Sequence, residues 1–129
     1  MPHVRIETRK GWIGDRRAEV LEAVHSAMVE ALKIPRADRV LRIIESEPAD
    51  FPTPPGHGER FTIIEITMFA GRSLDAKRRL YAAIARNLEG LGVPPNDVNI
   101  VLHEPPLENW GIRGGVPASE LDLGFQVRV

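Results

Sequence analysis

The second residue of the chain, Pro2, directly follows Met1. A small second residue permits removal of the initiator methionine, and a proline freed in this way carries a secondary amine in a rigid ring, whereas an internal proline nitrogen is an amide without basicity. A free α-amino group titrates near ~8, and burial or a neighbouring cation lowers that value toward neutrality. Such a nitrogen takes up and delivers protons at physiological pH, which makes Pro2 the first candidate catalyst. The other reading of Met-Pro is easy processing and nothing more. Other chemistries find less support. The chain has no cysteine, which removes thiolate nucleophiles, disulfides and zinc–cysteine sites. His3, His25, His57 and His103 show no ligand spacing, so no metal site is expected. The run WGIRGG, Trp110 to Gly115, lacks the Lys-Ser/Thr ending of a phosphate loop.

The elements that must position Pro2 follow from a repeat, in which each half reads as strand, amphipathic helix, strand. His3 to Glu7 suits a strand, and Asp15 is placed to cap a helix whose Leu21, Val24, Met28, Ala31 and Leu32 fall at helical spacing before Pro35 ends it. In the second half Phe61 to Met68 suits a strand, and Ser73 caps a helix with the stripe Leu80, Ile84, Leu88 and Leu91, ending near Gly90 and Gly92. Each helix is followed by matching text: Ile34-Pro35-x-x-Asp38 against Val93-Pro94-x-x-Asp97, then LRIIESEP from Leu41 against VNIVLHEP from Val98. A single α/β domain over residues 1–129 is predicted, with a first βαβ unit over about 2–47, a Pro/Gly-rich connecting loop over about 48–60, and a second unit with a C-terminal strand over about 61–129. Right-handed crossovers allow two such units to form one mixed four-stranded sheet with both helices on one face. The opposite face, expected to be apolar, then calls for burial against other subunits. Phe125, Val127 and Val129 alternate as a last strand, predicted to pair with a sheet edge of this chain or of a neighbouring subunit.

Two sets of residues carry a family resemblance. In the second half, Gly71-Arg72-Ser73 with Lys77, then Glu104, then Trp110-Gly111-Ile112 followed by Gly114-Gly115 resemble 4-oxalocrotonate tautomerase. In the first half, His25-x-Ala27-Met28-Val29, Lys33-Ile34-Pro35 and Asp38-Arg39 are similar to malonate semialdehyde decarboxylase, a member of the same tautomerase superfamily built from two fused βαβ units. The resemblance implies an N-terminal proline catalyst, a homotrimer, small 2-oxo acid or related carboxylate substrates, and no metal or organic cofactor.

Residue by residue, Arg72 matches an arginine that binds the substrate carboxylate, a task suited to the planar donor fork of a guanidinium; its other reading is a solvated charge at a helix start. Trp110 takes an aromatic place in the site wall, where an apolar surface tunes the Pro2 nitrogen, or else it packs in the core. Asp38 matches the decarboxylase's catalytic aspartate, although Asp97 holds the equivalent place in the repeat and both read equally as turn caps. Arg42 and Asn99, one in each half, align with a substrate-contacting arginine on the strand after the helix. The chain departs from the decarboxylase at Phe69 to Gly71, where that enzyme has paired arginines, and Gly11-Trp12 replaces Gly-Arg in the first half, leaving one active site per chain.

The function this implies is cofactor-free proton transfer on a 2-oxo acid or enol carboxylate, with Pro2 as general base. Two alternatives stand beside it: decarboxylase or hydratase/dehalogenase chemistry on a related acid with cationic Pro2 and Asp38 handling water, and a trimeric binding protein without activity. A net charge of -1 supplies no pull toward nucleic acid or membranes, so a small carboxylate-bearing molecule is the expected partner. No apolar run approaches membrane-spanning length and MPHVRIETRK has no signal-peptide core, so a cytoplasmic protein is expected.

Overall fold

The computed structural model describes residues 2–129; Met1, whose removal the chemistry of Pro2 requires, lies outside the described residues. The elements run β1 (His3–Arg9), α1 (Arg17–Leu32), β2 (Leu41–Ser46), β3 (Thr62–Thr67), α2 (Leu74–Glu89), β4 (Val98–His103), β5 (Gly111–Ile112) and β6 (Val116–Pro117). The four longer strands form one sheet in the order β2-β1-β3-β4. Within each half the strands are parallel, as a helical crossover demands, and β1 and β3 meet antiparallel at the centre.

Alternation along the strands divides the sheet into two faces. Val4 and Ile6 of β1 and Ile64 and Ile66 of β3 are fully buried beneath the helices, which contribute Val20, Val24, Met28 and Leu32 from α1 and Leu80, Ile84 and Leu88 from α2. At about 1.5–3 kcal/mol for each buried aliphatic side chain, this layer is the main force holding the halves together. The opposite face is not the apolar surface that two helices alone were expected to leave. Register places His3, Arg5 and Glu7 of β1, Arg42 of β2, Glu65 of β3, and Asn99 and His103 of β4 there, among Ile44, Ile63 and Val101. Arg5 pairs with Glu7 at 3.0 Å and His103 with Glu65 at 3.3 Å, while Val101 remains 46% exposed.

The helix ends explain two further differences. Ser73 caps α2 as predicted, its Oγ accepting from the Ala76 amide at 3.1 Å. Asp15 does not cap α1; Arg16 occupies the N-cap, and among the described residues no side chain caps the first-turn amides. The helix ends when Lys33 turns into the left-handed region at φ 57, two residues ahead of Pro35. Among the described residues, the C-terminal end forms no strand with this chain's own sheet. Residues 121–129 fold back on their own chain, where Leu123, Phe125 and Val127 pack against Phe69 and Trp110. Burying those side chains in an intrachain cluster outweighs the ladder that their alternation alone would favour. Among the described residues no helix is long and apolar enough to cross a membrane.

Candidate active site

Pro2 is buried at the head of β1. Val4 donates its amide to the Val40 carbonyl at 2.9 Å, and His3 lies opposite Thr67. The central strand therefore delivers Pro2 between the segment that enters β2 and the segment that leaves β3. The former carries Asp38 and the latter Phe69 and Arg72.

Trp110 completes this end of the sheet. Its indole nitrogen donates to the Pro105 carbonyl at 3.2 Å, fixing the ring beyond the end of β4. The ring meets Phe69 edge-on at 4.8 Å and His3 edge-on at 5.4 Å. An aromatic wall thus stands against His3, the residue after Pro2. His3, held beside this wall, titrates below its ordinary value, first because burial disfavours the cation and second because Arg42 repels it.

Arg72 is the most unusual side chain at the site. It is only 6% exposed, although it precedes the N-cap of α2 and could have pointed to water. Nη1 donates to the Phe69 carbonyl at 3.0 Å, while Nε and Nη2 are buried without a partner. Burial lowers its pKa and Glu104 opposes that shift, yet a guanidinium stays protonated at neutral pH. Glu104 is itself engaged by Lys77 at 2.7 Å. The result is a dry cation with two uncommitted donors, which suits a planar oxyanion. Gly71 beside it has φ 133, and a Cβ there would meet Val127 Cγ1 at 3.1 Å, so the close pass of residues 121–129 requires glycine.

Asp38 reaches the same region through the turn after α1. The buried His25 donates from Nε2 to the Arg36 carbonyl at 2.8 Å, and the Asp38 amide bonds the Pro35 carbonyl at 3.0 Å. Asp38 and Phe69 then share a cavity of about 130 Å³ with Ile112, Arg113 and Phe125.

Residues 38–113 match the tautomerase enzyme family, and residues 2–51 match a second tautomerase enzyme grouping. The chain belongs to the tautomerase family. The 2-hydroxymuconate tautomerase of Comamonas testosteroni is 41% identical over 58 residues, which are 44% of this chain and 90% of that one. A probable tautomerase of Ralstonia nicotianae is 33% identical over 58 residues, 44% of this chain and 81% of its own. Among solved structures, a malonate semialdehyde decarboxylase inhibited by 3-bromopropiolate superposes with a TM-score of 0.82 at 29% identity, covering 94% of this chain and 98% of the other. A native fused 4-oxalocrotonate tautomerase shares the fold with a TM-score of 0.83 at 21% identity, covering 95% and 99%. These likenesses fit an isomerase-type enzyme with two fused βαβ units.

Within this tautomerase the two repeats have diverged. Asp97, the counterpart of Asp38, is buried and bound to His57 Nδ1 at 2.8 Å and to the Gly58 amide at 3.1 Å. It fastens the connecting loop, while Asp38 faces a cavity. Trp12, standing where the second half has Arg72, donates to Thr8 Oγ1 at 3.0 Å with the Arg60 guanidinium 5.7 Å from its ring centre. Arg42 and Asn99 lie on the sheet face away from the helices and are not brought to the cavity of their own chain. Sequence reasoning did not assign Phe69, Arg113, Leu123 or Phe125 to the site, and took His3 as the start of a strand and as a metal ligand to be dismissed. Arg113 had one visible signal, since it interrupts the Gly-Ile-Gly-Gly match of the turn.

Proposed function

We propose that this tautomerase moves a proton on a small 2-oxo acid or enol carboxylate, with Met1 removed and the Pro2 nitrogen acting as general base. The observation that carries this reading is the buried fork of Arg72, whose Nε and Nη2 have no protein partner. A desolvated guanidinium in that state lacks only an anion, and a substrate carboxylate supplies it. Held there, the substrate presents its enol hydroxyl to Pro2. The nitrogen takes that proton, the oxygen's electrons form the carbonyl, the double-bond pair moves to carbon, and the prolinium returns the proton to that carbon. Nothing is gained or lost, so neither cofactor nor metal is required. Phe69 and Trp110 keep water from the site and hold the reactants in place.

A second reading is favoured by one specific feature: Asp38 lines the cavity with no side-chain partner among the described residues. A carboxylate so placed can orient water for hydratase or decarboxylase chemistry, with prolinium as the acid. The two readings differ in sign. A base must be neutral, so tautomerase kcat/KM rises with pH through the Pro2 pKa, whereas a rate that needs prolinium falls through it. The test follows kcat/KM for phenylpyruvate against pH in protein shown by intact mass to lack Met1, with Pro2→Ala alongside. A rising limb abolished in Pro2→Ala is expected; unchanged activity in Pro2→Ala would remove Pro2 from the mechanism.

We further propose that the chain acts as one domain in a homotrimer, each chain holding one site. The mixed outer face of the sheet and the trimeric state of solved fused 4-oxalocrotonate tautomerases support this assembly.

A further inference from the structure

By the repeat, the end of the sheet away from Pro2 is the counterpart of the site, with different chemistry. Phe61 precedes β3 as Pro2 precedes β1, and its nitrogen is an amide without basicity that donates to the Gly58 carbonyl at 3.4 Å. Trp12 stands where the second half has the fork of Arg72, so an anion at this end must be held from the rim. A hollow of about 190 Å³ opens here, lined by Arg9, Lys10, Gly11, Trp12, Pro48 and Glu59. The Trp12 ring is fixed in it: the indole nitrogen donates to Thr8 Oγ1 at 3.0 Å, and Thr8 Oγ1 donates to the Phe61 carbonyl at 2.8 Å. Gly11 leaves the adjoining space open, since it sits at φ 122 and a Cβ there would meet no atom within 4 Å. Arg9 is half-buried. Its Nε donates to the Phe51 carbonyl at 2.8 Å and its Nη2 to Thr53 Oγ1 at 3.4 Å, which fixes the guanidinium and leaves Nη1 without a partner among the described residues.

We propose that this hollow is a second, non-catalytic site that binds a planar aromatic carboxylate. It does not rest on the proton-transfer reading above. A single aromatic ring lies against the fixed indole of Trp12 and against Pro48, and its carboxylate meets Nη1 of Arg9. Charge selects the sign of the ligand. The Arg60 guanidinium already lies over the Trp12 ring, 5.7 Å from its centre, without lining the hollow, so a further cation against that ring is disfavoured and an acid is favoured. Lys10, paired with Glu47 at 2.7 Å, and Glu59, the acidic residue of the wall, both lie exposed, where water and salt screen them. Planarity follows from the stacking, because a saturated ring of the same size presents no π-face. An acid bound here finds no proline amine and leaves unchanged.

The chain has two tryptophans, Trp12 at this end and Trp110 at the other, so labelling with fluorotryptophan gives each end its own fluorine resonance. Trp12→Phe and Trp110→Phe assign the two signals, and benzoate is titrated into the labelled parent. Benzoate should shift the Trp12 resonance saturably. Arg72→Ala, which removes the carboxylate anchor at the catalytic end, should leave the Kd read at Trp12 within about twofold, whereas Arg9→Gln should weaken it about tenfold or more with Tm little changed. Cyclohexanecarboxylate should bind at least about threefold more weakly than benzoate, and benzylamine should leave the Trp12 resonance in place. A benzoate response confined to Trp110, or none at either tryptophan, overturns the proposal. So does a Trp12 response that Arg72→Ala abolishes, one that a folded Arg9→Gln leaves unaltered, or one that benzylamine reproduces. The titration of the parent reads the unaltered hollow, so it decides the existence of the site even if Arg9→Gln fails to fold.

Discussion

A buried arginine with two unused donors is an expensive residue for an unliganded protein to keep. Among the described residues its desolvation is compensated by the Phe69 carbonyl and by Glu104 at longer range. Arg72→Ala should therefore leave stability within about 1 kcal/mol or raise it, while kcat/KM falls roughly tenfold or more. Thermal melts and steady-state kinetics on the same preparation check both parts; full activity in the variant would place the carboxylate elsewhere. His3 gives a pH-dependent counterpart. Its folded pKa lies below the ordinary 6.5, so between the two values the unfolded chain binds more protons than the folded one. The contribution is present in full above the ordinary value and declines as pH falls through the window down to the folded value. Melts at pH 7 and pH 5 should show a smaller acid-induced drop in His3→Gln than in the parent.

At the scale of elements, the repeat supplies two turns of the same sequence pattern with different duties. Asp97 is bound by His57 and Gly58 and closes the loop between β2 and β3, whereas the Asp38 side chain looks into a cavity with no partner among the described residues. Asp97→Ala takes the acceptor from the Gly58 amide and the half-buried His57 imidazole and frees the connecting loop, so it should cost about 1–3 kcal/mol with kcat/KM little changed. Asp38→Asn should do the reverse, altering kinetics while Tm holds. Measured together by calorimetry and kinetics, equal behaviour of the two variants would contradict the divergence of the halves. The same divergence explains why Gly11-Trp12 cannot rebuild the site at the other end of the sheet. Trp12 is tied to Thr8 and stacked under Arg60, leaving no fork for an anion.

For the whole molecule, the proposed trimer rests on the outer sheet face. Its ion pairs, together with Ile44, Ile63 and the exposed Val101, form a mixed surface of the kind that buries well only against a shaped partner. Sedimentation equilibrium should find a species near three times 14.4 kDa. Val101→Asp should shift it toward monomer, because it sets an unpaired charge in the contact; a monomeric parent at micromolar concentration would contradict the trimer. Sequence alone determined the two βαβ units, because periods of 3.6 and 2 in the apolar residues leave each element one face to bury. It also determined the Ser73 cap and the family, because caps and turns are local chemistry written over a few adjacent residues. Only the tertiary structure decided the rest. That Arg72 is dry rather than solvated is decided by tertiary packing, with its Nη1 held on the carbonyl of Phe69, whose ring joins Trp110 and the 121–129 segment from separate parts of the chain. That Phe125 and Val127 join this cluster instead of a ladder depends on a hydrophobic partner far away in sequence, which no alternation pattern encodes. Asp38 and Asp97 parted for the same reason: identical local spacing met different neighbours, a cavity for one and His57 for the other.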